Sequence, residues 1–193
     1  MISFFDAEKQ TKSYFKRESA ISELIDFSRL AELVTVLKSV SQNNGRVFLA
    51  GNGGSASTSD HFATDLGVGS HIRSGNNIIN AISLSSNTSI ITALANDTSY
   101  KNIFCIQLEI FKPTKCDLVV AISASGNSPN IIELIRCANE MNVKTCALTG
   151  FDGGKAKEMV DIPIHVPTEK GEYGIVEDLH LAICHAVVES LRA

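Results

Sequence analysis

The strongest constraint on the fold is an alternation along the chain. Short apolar runs at residues 46–50, 78–84, 117–123, 143–149 and 162–166 are separated by stretches of helical character at 55–66, 87–95, 128–142 and 155–160. A last helical stretch, 175–191, closes the sequence. Runs this short and this apolar suit strands buried on both faces, and strand–helix alternation gives parallel strands joined by crossover helices. The predicted fold class is therefore α/β: a doubly wound, five-stranded parallel sheet flanked by helices. Upstream, residues 6–44 contain no Gly or Pro and carry apolar residues at helical spacing, from Ile21, Leu24, Ile25 and Phe27 to Leu30, Leu33, Val34, Val36, Leu37 and Val40. Two helices are expected there, stopped by Asn43-Asn44-Gly45. The expected organisation is an N-terminal helical unit, 1–44, that packs in an oligomer, followed by one structural unit, 45–193.

Composition narrows the function classes. An apolar content of 44% over 193 residues supports a substantial core, and a net charge of −4 argues against nucleic acid, whose phosphates select basic surfaces. Cys105, Cys116, Cys137, Cys146 and Cys184 make neither C-x-x-C pairs nor zinc-finger spacing, and read as reduced, mostly buried thiols. The opening MISFFDAEKQTK meets charge too early for a signal peptide, and no run approaches the roughly 20 apolar residues of a membrane span. A cytoplasmic protein with no membrane partner is expected.

The first strand runs into Gly51-Asn-Gly-Gly-Ser-Ala56, which fits the G-x-G-x-x-A fingerprint of dinucleotide binding. That chemistry also needs a carboxylate at the end of the second strand to hold the ribose hydroxyls. The second strand here ends in Ser83, Ser85 and Ser86 instead, so no nucleotide cofactor is expected. The third strand ends in Ser-Ala-Ser-Gly-Asn-Ser, residues 123–128, at a helix start. Hydroxyls of Ser123, Ser125 and Ser128, together with backbone N–H groups at a helix N-terminus, bind a phosphate monoester without Lys or Arg. Two small-residue loops at the carboxyl ends of strands make one shared anion site.

These loops, with "NDTSY", "LTGFDGGK" and "VEDLHLAICH", make the chain resemble the sugar isomerase (SIS) domain family, whose fold is flavodoxin-like, and within it the phosphoheptose isomerases. The resemblance runs from about residue 20 to the C-terminus. It implies a phosphorylated-sugar substrate held by Ser123, Ala124, Ser125 and Ser128, by Asn52, Gly53, Gly54 and Ser55, and by Asn96 and Asp97. It also implies aldose–ketose isomerisation of sedoheptulose 7-phosphate to the manno-heptose 7-phosphate, and a homotetramer with sites at subunit boundaries.

The acid–base groups fall on two helices. His61 and Asp65 are spaced i,i+4 and share a face. Glu177, Asp178, His180 and His185 cluster on the closing helix. The resemblance assigns His61, Asp65, Glu177 and His185 to a divalent metal, zinc, and it casts Asp65 or Glu177 as base with His185 as acid. Eight residues separate Glu177 from His185, ~12 Å along a helix, whereas His180 lies i,i+3 from Glu177 and is kept as a more distant or neighbouring-subunit group. Three positions depart from the family pattern: Asp65 replaces a Glu, Glu177 replaces a Gln, and Gly69 stands where the heptose enzymes carry an Arg. These departures leave room for another sugar-phosphate isomerase. A non-catalytic relative of the DnaA-initiator-associating type is the other alternative.

Overall fold

A computed structural model describes residues 4–73 and 78–192. Residues 1–3 of the expected N-terminal unit, and 74–77 and 193 of the expected second unit, lie outside the described residues.

Two helices open the chain, α1 (Phe4–Ser22) and α2 (Phe27–Gln42), the second capped where the Asp26 carboxylate accepts from Ser28 N at 3.0 Å. The strands are β1 (Arg46–Gly51), β2 (Asn80–Ser83), β3 (Leu118–Ser123), β4 (Lys144–Thr149) and β5 (Ile162–His165). All pair in parallel, in the order β2-β1-β3-β4-β5. The remaining helices are α3 (Gly54–Thr64), α4 (Ser70–Arg73), α5 (Thr88–Asp97), α6 (Ile103–Phe111), α7 (Pro129–Glu140), α8 (Gly154–Met159) and α9 (Tyr173–Arg192). This is the doubly wound sheet that the alternation predicts.

Period-two burial divides the core between the two faces of the sheet. Val47, Leu49, Leu118, Val120 and Ile122 pack against α2, α3 and α9, while Phe48, Ala50, Val119 and Ala121 pack against α6 and α7. Leu33 and Leu37 of α2 are fully buried in the first of these cores. Helix α2 therefore shares the sheet's core, and the expected division at residue 44 does not separate one core from another. Of α1, only Ile21 is buried.

Helix α6 has no counterpart in the sequence reading, because residues 103–111 are apolar on nearly every side and show no stripe. The expectation of five reduced thiols also needs correcting. Cys105 on α6 and Cys137 on α7 form a disulfide, with Cα atoms 6.0 Å apart, and Cys116, Cys146 and Cys184 are free. The two sulfurs are 32 residues apart in sequence and meet only because α6 packs on α7.

The strand order reverses between β1 and β3, which are neighbours in the sheet. Their connections leave toward opposite faces, so the loops that follow them open a crevice at the carboxyl edge. The glycine loop and the serine loop both stand there.

Candidate active site

The serine loop is built by its surroundings. Gly126 takes φ +59°, and a Cβ there would lie 2.0 Å from the carbonyl oxygen of Gly153, a position open only to glycine. Gly126 O accepts from Ala156 N at 2.9 Å, and Asn127 Oδ1 accepts from Lys155 N at 3.2 Å. The motif "LTGFDGGK" thus buttresses the serine loop from behind. Ser128 precedes α7, Pro129 occupies its first turn, and the hydroxyls of Ser123 and Ser128 lie 3.4 Å apart.

A cavity of about 150 Å³ opens at this loop, lined by Ser123, Ala124, Ser125 and Ser128, by Asn52 and Ser55 of the glycine loop, and by Glu177 and Tyr173 of α9. The two loops that the sequence pairs therefore share one pocket. Asn52 is held from two sides: its amide and that of Asn130 exchange hydrogen bonds of 3.0 and 2.9 Å, and Tyr100 Oη donates to Asn52 Oδ1 at 2.9 Å. Tyr100 and Tyr173 escape the sequence reading. Tyr100 ends "NDTSY", the motif in which the resemblance points to Asn96 and Asp97. Those two end α5, exposed and bonded to each other at 2.8 Å, and they do not line this pocket. Gly53 has open space around it.

A second constellation lies at the C-terminal end of α3. His61 Nε2 is 3.3 Å from Asp65 Oδ2 and 2.9 Å from His185 Nε2, and His185 Nε2 is 3.9 Å from the same carboxylate oxygen. Asp65 opens a single π-helical turn, Asp65–Gly69, a local widening that recurs at functional sites. These three gather donor atoms within 4.8 Å of one another, as Cys105, Glu109 and Cys137 also do, and two imidazoles with one carboxylate form a set that suits a divalent ion. Glu177 does not join them. It stands two turns back along α9, its carboxylate filling the space over Gly54, where a Cβ would meet Oε2 at 2.3 Å. The helical rise separates Glu177 from His185 as the eight-residue spacing requires. His61 and His185 are each about half exposed.

His180, also on the closing helix, faces the core and is only 1% exposed. Burial pushes its imidazole down to about 4, which holds it neutral. It is neither beside Glu177 in the pocket nor available to a neighbouring subunit. The N-terminal end of α9 is tied to α1 by Tyr14 Oη donating to Asp178 Oδ2 at 2.5 Å, and by Arg17 gripping Glu172 at 2.9 and 3.0 Å. Burial and the Asp178 carboxylate raise the Tyr14 phenol to about 12.

The SIS domain model matches residues 13–150, and a second SIS domain model matches residues 112–191. The chain belongs to the SIS domain family. Within that family, the phosphoheptose isomerase of Helicobacter pylori strain P12 is 33% identical over 184 residues, covering 94% of this chain and 93% of the relative. That of Akkermansia muciniphila is 40% identical over 145 residues, 75% of this chain and 74% of the relative. Among solved structures, the phosphoheptose isomerase of Neisseria gonorrhoeae superposes with a TM-score of 0.85 at 28% identity, over 96% of this chain and 98% of that one. The SIS fold accounts for the sheet order, and among the described residues no helix is long and apolar enough to cross a membrane.

Proposed function

We propose that this SIS domain chain is an aldose–ketose isomerase that converts sedoheptulose 7-phosphate to D-glycero-D-manno-heptose 7-phosphate through an enediol. The observation that carries this reading is Glu177 on the wall of the serine-lined pocket, in a chain whose relatives at 33–40% identity are phosphoheptose isomerases. The hydroxyls of Ser123, Ser125 and Ser128, at the positive end of α7, hold the phosphate, and Asn52 with Gly54 and Ser55 holds the sugar body. Binding at the phosphate end fixes the reacting carbons and supplies energy remote from the chemistry. A carboxylate, Glu177 or Asp65, takes a proton from C1 of the ketose. His185 passes a proton between the two oxygens as the enediol forms and collapses, and the carboxylic acid returns its proton to C2. The trio His61, Asp65 and His185 would hold a divalent ion, zinc in this proposal. Such an ion, when bound, polarises carbonyl and hydroxyl oxygens as a Lewis acid.

The half-exposed imidazoles and the bare apolar face of α1 support a homotetramer with sites at subunit boundaries, in a cytoplasmic protein. The test is turnover of sedoheptulose 7-phosphate by the purified protein, with zinc, with EDTA, and beside a panel of other ketose phosphates. Turnover that falls at least about a hundredfold in His185→Ala is expected. No turnover by the wild type, or turnover of another ketose phosphate alone, overturns the heptose assignment.

A further inference from the structure

The last turn of α9 carries a cation that borders the same space, over Gly69, as Asp65 of the His61–Asp65–His185 trio. Arg192 has a side chain only 10% exposed. Its Nη1 donates to Glu189 Oε1 at 2.5 Å on the outer side, where Glu189 also faces Arg73 at 3.6 Å. Its other edge turns inward. Nε and Nη2 are buried and, among the described residues, find no hydrogen-bond partner. Buried, unanswered guanidinium N–H groups are costly, and their persistence points to an anionic or acceptor group that they serve.

Gly69 shows where that edge is aimed. A Cβ at residue 69 would lie 3.2 Å from Arg192 Nη2 and 3.1 Å from Asp65 Oδ1. The guanidinium and the carboxylate oxygen therefore both border the same small space, which exists because residue 69 has no side chain. Asp65 thus has two faces: Oδ2 turns to His61 and His185, and Oδ1 turns toward Arg192. Gly69 lies within the π-helical turn that Asp65 opens, and the turn closes where Ser70 N–H donates to Asp65 O. A lysine in the same place would present a mobile point charge, whereas the planar guanidinium, fixed by Glu189, presents two inward donors at set positions.

We infer that Arg192 is a positioning residue for Asp65, a fixed cation across Gly69 that orients the carboxylate so that Oδ2 stays on the two imidazoles. As a statement about catalysis, this rests on the isomerase reading; as a statement about pairing, it does not. The experiment has one arm for each. In the first, the side-chain Nε–H signal of Arg192 is followed by ¹H–¹⁵N NMR, assigned by its loss in Arg192→Lys. Asp65→Asn is expected to shift it, and Asp178→Asn, which touches Tyr14 instead, is expected to leave it in place. In the second, Arg192→Ala is expected to lower kcat about tenfold or more with KM changed less than about threefold, Arg192→Lys to recover little, and millimolar methylguanidinium to restore Arg192→Ala at least about fivefold. A signal indifferent to Asp65→Asn overturns the inference. So does a shifted signal accompanied by unchanged kcat in Arg192→Ala, or by a loss that methylguanidinium does not repair. If the wild type turns over no heptose phosphate, the isomerase reading falls, and the NMR arm still decides whether Arg192 and Asp65 are coupled.

Discussion

A methyl group on Gly54 would stand 2.3 Å from Glu177 Oε2, so the glycine reserves the volume that the carboxylate occupies. The atoms displaced are the far end of a side chain rather than backbone, and the cost falls on position more than on stability. Gly54→Ala is expected to shift Tm by less than about 4 °C while lowering kcat/KM at least about tenfold, measured by calorimetry and steady-state kinetics. His180 gives the opposite case, a titratable group whose effect is on stability. In the folded chain it charges only near pH 4, against 6.5 for an ordinary histidine, so the unfolded chain takes up the proton first. Its contribution is intact above pH 6.5 and drains as pH falls toward 4, by about 3 kcal/mol. Urea midpoints should decline over that window, and His180→Met should flatten the decline. The small residues of the two loops were legible because they sit at strand ends, where backbone must approach a ligand. Separating His180 from His185 was not, since only the phase of α9 against the sheet turns one inward and the other out.

Helix α2 belongs with the sheet. Leu33 and Leu37 are fully buried against strands and α9, and Leu33→Ala should cost about 2–5 kcal/mol by urea denaturation, the range for a core leucine rather than a peripheral one. A loss below about 1 kcal/mol would place α2 outside the core. Strand identities came through because buried parallel strands are short and uniformly apolar. Helix α6 did not, because residues 103–111 are apolar almost throughout and show no stripe, although Ile110 and Phe111 stay exposed while Ile103, Phe104 and Leu108 are buried. The π-helical turn after α3 also left no mark in the spacing. His61 and Asp65 still read as i,i+4, and what the turn changes is the backbone closure on Asp65, whose carbonyl accepts from Ser70 N–H.

At the scale of the whole molecule, α1 leaves Phe4, Phe5 and Phe15 exposed by 87, 74 and 67%, beyond what an isolated helix keeps in water. If these rings pack on other copies, Phe5→Glu with Phe15→Glu should lower the mass seen by light scattering at micromolar concentration from that of a tetramer to a smaller species. An unchanged mass would remove α1 from the interface. Glu177, His185 and Arg192 are carried by α9, one 20-residue helix, while Asn52, His61 and Asp65 lie on or beside α3. One half of the proposed acid–base chemistry is therefore transferable as a single piece. Exchanging α9 between relatives would carry three functional groups with their mutual spacing intact, whereas a one-residue insertion between Glu177 and His185 would rotate the groups beyond it by roughly 100° and disengage them together. Divergence in substrate preference within such a fold has a ready route: keep the closing helix as a cassette and alter the partners it meets.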